Sequence, residues 1–92
     1  MVFKRAIYIV AARRTPFGTF GGVLKDHTAT DLQEHANRAV LKQANLSPDA
    51  IDSTYVGSVS QTSTYAIYLA RHAALAAGLP IHVPALTVNR LC

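Results

Sequence analysis

Apolar side chains come in blocks along this chain, and the spacing inside each block differs. Ala6-Ile7-Tyr8-Ile9-Val10-Ala11-Ala12 is an unbroken, β-rich run, the pattern of a strand covered on both faces. Leu32, Ala36, Ala39, Val40 and Gln43 then recur at helical spacing, which predicts a helix over about 30–44. Thr28 or Thr30 can cap it, with Gln33 three residues after Thr30 as in a capping box. Thr54-Tyr55-Val56-Gly57-Ser58-Val59 reads as a second strand, about 53–59, and Ala85-Leu86-Thr87-Val88-Asn89 as a third. Between them, residues 65–77 form a helix stopped by Gly78, with Pro80 beyond it. Only Arg71 and His72 interrupt its apolar run from Ala66 to Ala77, so an interior helix is expected, its alanines allowing close approach by neighbours.

Polar punctuation separates these elements. Residues 13–22 are irregular, with Pro16, Gly18, Gly21 and Gly22 supplying turns. Ser47-Pro48-Asp49 is a cap-and-turn signal with proline in the tolerated first-turn position. The order strand–helix–strand–helix–strand calls for an α/β fold with a parallel sheet and crossover helices. Ligands gather beyond the carboxyl ends of such strands. On that basis residues 13–22, the loop 60–64 and Cys92 should meet at one edge of the sheet.

Composition alters this picture in one respect. Half of the 92 residues are hydrophobic and only 15% are charged, a surplus of apolar surface for so short a chain. The expected explanation is that these residues open a larger protein and are covered by further chain or a partner. Five basic side chains (Lys4, Arg5, Arg13, Arg14, Lys25) occupy the first 25 residues, which hold no acid. That end resembles mitochondrial targeting material, yet a strand follows almost at once, so an import signal is expected to be retained rather than cleaved. No run of like charge is long enough for a nucleic-acid arm. No apolar run is long enough to span a membrane as a helix.

Candidate chemistry narrows to one atom. Cys92 is the single cysteine, so no internal disulfide can form, which suits a reducing compartment. A thiol where a strand gives way to the next segment suits a nucleophile, since a following helix N-terminus or a nearby histidine would stabilise the thiolate. The competing reading is a buried, inert cysteine. His27, His35, His72 and His82 lack metal-ligand spacing, so no metal is expected. Gly18, Gly21 and Gly22 match neither phosphate-binding glycine pattern and serve backbone geometry. Arg13-Arg14 beside Phe17 and Phe20 is too sparse for a nucleic-acid surface. Arg90, two residues before the thiol, could touch an anionic ligand or hold the turn, and the second is expected.

Several stretches in order resemble the thiolase family. They are Arg14-Thr15-Pro16-Phe17-Gly18, Phe20-Gly21-Gly22 with Leu24, Val56-Gly57-Ser58-Val59 with Gln61, the run from Ala70 to Pro80, and Pro84 to Cys92. The leucine of Asn89-Arg90-Leu91-Cys92 and the retained N-terminus are most similar to the mitochondrial members that act on 3-ketoacyl-CoA. The resemblance implies a five-layered α/β/α/β/α architecture, of which residues 1–92 would supply the first βαβαβ part of the N-terminal half. It implies that Cys92 attacks the 3-keto carbonyl of a 3-ketoacyl-CoA, releases acetyl-CoA and passes the acyl group to coenzyme A. No tightly bound cofactor is implied; coenzyme A and acyl-CoA are substrates, and the residues that bind them are not assigned. A homodimer or homotetramer in the mitochondrial matrix, or a bacterial cytoplasmic counterpart, is implied as well, while these residues alone should be inactive. Acetoacetyl-CoA-forming acetyl-CoA acetyltransferase activity, or a non-catalytic acyl-CoA or lipid carrier of the same fold, are the alternatives.

Overall fold

A computed structural model describes residues 4–92. The described elements are α1 (Ala29–Ala44), a 3-10 turn (Pro48–Ala50), β1 (Thr54–Gly57), a second 3-10 turn (Ala66–Tyr68), α2 (Leu69–Ala76) and β2 (Ala85–Val88). The fold is α/β.

Local chemistry explains where α1 starts and stops. Thr28 is the N-cap: its hydroxyl accepts from the Asp31 amide at 3.1 Å, and the Asp31 carboxylate accepts from the Thr28 amide at 3.0 Å. This reciprocal box satisfies two end groups that would otherwise lack partners. Thr30, the other cap candidate, is instead buried within the first turn, so the Thr30–Gln33 box does not form. Asn45 ends the helix in the left-handed region at φ 54°, and the Leu46 amide closes back on the Leu41 carbonyl at 3.1 Å. Ser47 caps the following 3-10 turn through the Asp49 amide, with Pro48 at its start.

β1 and β2 pair in parallel, from Thr54 opposite Ala85 to Gly57 opposite Val88. Flanking bonds extend the ladder at both ends, Thr54 N–H to the Pro84 carbonyl at 3.0 Å and Ser58 N–H to the Val88 carbonyl at 2.8 Å. α2 is the crossover between them. It turns Leu69, Ala70 and Ala73 toward Val56, with Ala85 packed beside them. Ala74 and Ala77 meet Leu41 of α1 together with Leu79 and Val83. Four alanines of this segment are at most 5% exposed, and their small side chains are what bring both layers close.

Two expectations are corrected. Residues 6–12 do not form a strand. The described hydrogen bond there runs from the Ala12 amide to Gln43 Oε1 at 3.3 Å, and Ile7, Tyr8, Ile9 and Val10 are 71–91% exposed. An apolar β-branched run states a need for cover; a ladder partner must supply it, and β1 and β2 hydrogen-bond each other instead. The βαβαβ order therefore appears as α1–β1–α2–β2. The second helix is also shorter than 65–77: a 3-10 turn precedes it because Tyr68 leaves the helical region at φ −132°, ψ 42°. Nor is it interior all round, since Ile67, Tyr68 and Leu75 remain exposed.

Arg71 fastens the loop that leads into β2. Its guanidinium donates to the Val83 carbonyl at 3.0 Å and the Ile81 carbonyl at 2.8 Å. Gly78, at φ +95°, allows the chain to turn after α2. On the far side, Arg38 of α1 pairs with Glu34 at 3.1 Å and reaches the Ala76 carbonyl, joining the two helices.

Candidate active site

Because β1 and β2 are parallel, Gly57 and Val88 end side by side, and both chains leave the sheet at the same rim. From β1, residues 58–64 lead toward α2. From β2, Asn89-Arg90-Leu91 lead to Cys92, and all four are exposed. The start of α2 joins this rim through a hydrogen bond from the Ala70 amide to Thr87 Oγ1 at 2.9 Å. Both strand ends thus open onto one rim, from which the chain runs on to Cys92, and ligands favour such rims at parallel sheets.

Cys92 is a free, exposed cysteine. Aromatic groups stand near the helix start: the Tyr65 ring stacks on His72 with centroids 4.1 Å apart and 9° between planes. Tyr68 meets Tyr65 at 6.0 Å in a tilted pair.

Residues 13–22 do not join this rim as expected. Without the opening strand, nothing carries them to the sheet's carboxyl edge. Arg13, Arg14 and Thr15 instead border a cleft with Ala29, Leu32, Gln33 and Ala36 of α1. Arg14 lies over the Phe17 ring at 4.9 Å and donates to the Thr15 carbonyl. A second cleft of about 410 Å³ runs along α1, between Thr15, Pro16 and Leu24 on one side and Asp31, Glu34, His35 and Arg38 on the other. Asp31 has its carboxyl held below the usual range, first by the Thr28 backbone hydrogen bond, with the Thr28 hydroxyl and the nearby His27 and His72 adding to it. That carboxylate serves the helix end rather than a reaction. Among the described residues, no three His, Cys, Asp or Glu side chains gather as a metal site, and no helix is long and apolar enough to cross a membrane.

Thr87 escaped the sequence reading. The available signal was a threonine alternating with Ala85 on the half-buried side of an apolar strand, where a hydroxyl needs a partner.

A parallel two-stranded sheet crossed over by a helix defines an α/β class of protein, and comparison with known proteins narrows it. The thiolase N-terminal domain model matches residues 7–92, and the chain belongs to the thiolase family. It is 54% identical over 92 residues to the human mitochondrial 3-ketoacyl-CoA thiolase and 55% identical to that of Rattus norvegicus. In each case all of this chain matches 23% of the relative, so the chain spans about a quarter of the length of these mitochondrial relatives. The crystal structure of the human mitochondrial enzyme in complex with CoA superposes with a TM-score of 0.83 at 56% identity, covering 86% of this chain and 20% of that one. The fold is therefore thiolase-like.

Proposed function

We propose that the protein carrying this chain is a 3-ketoacyl-CoA thiolase with Cys92 as its nucleophile. The observation that carries the reading is a free thiol four residues beyond β2, in a chain of the thiolase family whose parallel strands end side by side. The Cys92 thiolate attacks the 3-keto carbon, and the bond between C2 and C3 breaks. The electron pair stays on C2, which takes up a proton as acetyl-CoA leaves, and the acyl group remains on sulfur as a thioester. The thiolate of a second coenzyme A attacks that thioester and expels the Cys92 thiolate, restoring the starting state. Two easier steps thus replace one hard carbon–carbon cleavage.

Acyl-CoA and coenzyme A are the substrates on this reading, with no tightly bound cofactor. The exposed apolar side chains of the sheet, Tyr55, Leu86 and Val88, support an assembly in which further polypeptide covers them, as a homodimer or homotetramer. The mitochondrial relatives support the matrix as its location, with the N-terminus kept. The deciding test is acylation: brief incubation of the full-length polypeptide with an acyl-CoA, then peptide mass spectrometry, should find the acyl group on Cys92. Cys92→Ser should lower turnover roughly a thousandfold or more. A variant with wild-type turnover would remove the proposal.

A further inference from the structure

We infer that Thr87 is a positioning residue for Cys92, a role that rests on the nucleophile reading above. α2 begins without a cap of its own: Tyr68 stands at the N-cap position and makes no side-chain hydrogen bond. Its first-turn amides need acceptors, and Thr87 supplies one from the neighbouring strand, its hydroxyl accepting from Ala70 N–H at 2.9 Å. One residue later, the Val88 carbonyl accepts from Ser58 N–H at 2.8 Å. Among the described residues these are the last hydrogen bonds the chain makes before Cys92. The direction in which the chain leaves the sheet is thus set on one side by the β1 ladder and on the other by the start of α2. Only Asn89, Arg90 and Leu91 lie between these two bonds and Cys92, so an error in that direction is carried toward the sulfur. A nucleophile displaced by about an ångström loses a large part of its rate.

Thr87→Val keeps the branch and the volume but cannot accept, so the Ala70 amide loses its partner while β2 keeps its strand propensity. Thr87→Ser keeps the hydroxyl. Assayed in the full-length polypeptide, Thr87→Val should lower kcat and the Cys92 acylation rate about tenfold, with KM within about twofold of wild type. Thr87→Ser should stay within about threefold of wild type on both. Gly78→Ala, which strains the turn after α2 without touching β2, serves as the control for stability alone; it should lower the melting temperature and leave kcat intact. Should Thr87→Val fold poorly, Thr87→Ala against Thr87→Ser makes the same comparison. Wild-type kcat in Thr87→Val, or an equal loss in Thr87→Ser, would overturn the positioning role. Inactive Cys92→Ser beside unimpaired Thr87→Val would reject this inference alone, whereas active Cys92→Ser would reject the nucleophile reading and this role with it.

Discussion

Leu69 offers the sharpest test of how the sheet is held. It is 2% exposed and lies between Val56 of β1 and Ala70 and Ala73 of its own helix. Leu69→Ala removes three buried carbons, which at about 0.8 kcal/mol each forfeits roughly 2.4 kcal/mol of transfer free energy. The neighbours are mostly alanines on a hydrogen-bonded helix, with no long side chain to swing into the gap, so a cavity term should add to that. The expected loss is about 3–4 kcal/mol, in the upper part of the range for buried leucines. Leu75→Ala on the same helix is the paired control, because Leu75 is 43% exposed and its truncation should cost under about 1 kcal/mol. Urea unfolding of the two variants in the full-length polypeptide, followed by circular dichroism and amide hydrogen exchange across α2, measures the difference. Equal losses would mean that α2 does not hold the sheet through this face.

Three other outcomes follow from local features. Thr28→Ala should destabilise α1 by about 1 kcal/mol, read as lost helical circular dichroism, since it removes the hydroxyl half of the cap. Asp31 has its carboxyl pKa lowered in the fold, so its contribution is present above the unfolded carboxyl pKa and is lost as pH falls through the folded one. Helix stability should drop below about pH 4, and Asp31→Asn should flatten that acid dependence; an unchanged acid profile would exclude the box as its source. Gly78→Ala should cost about 1 kcal/mol in thermal unfolding. There the added Cβ meets only Pro48 Cγ, at 3.8 Å, so the penalty comes from the backbone at φ +95° and not from crowding.

Legibility followed the range of each interaction. Ser47 to Asp49 and Gly78 are written within a few residues of the elements they end, and their signals were readable in the chain; Thr28 was readable as one of two caps, while its box partner proved to be Asp31 and not the Gln33 expected of Thr30. The alanines of α2 were readable as a close-packing face because composition alone limits how near two backbones come. The order of ordered motifs from Arg14 to Cys92 was enough to resemble a family that the matched domain then supplied. The run 6–12 shows the limit. Its side chains state that they belong under cover, but a strand exists only when another main chain completes its hydrogen bonds, and no local pattern names that partner.

The tie between Thr87 and Ala70 lies beyond the chain's own pattern for the same reason. Seventeen positions separate the two residues, and nothing in either neighbourhood announces the other. Short-range chemistry, acting through caps, turns and periodicity, could be read residue by residue. Pairing register, the face each helix buries and the direction in which Cys92 leaves the sheet depend on groups distant in sequence meeting in space, and they became visible only once the chain was folded.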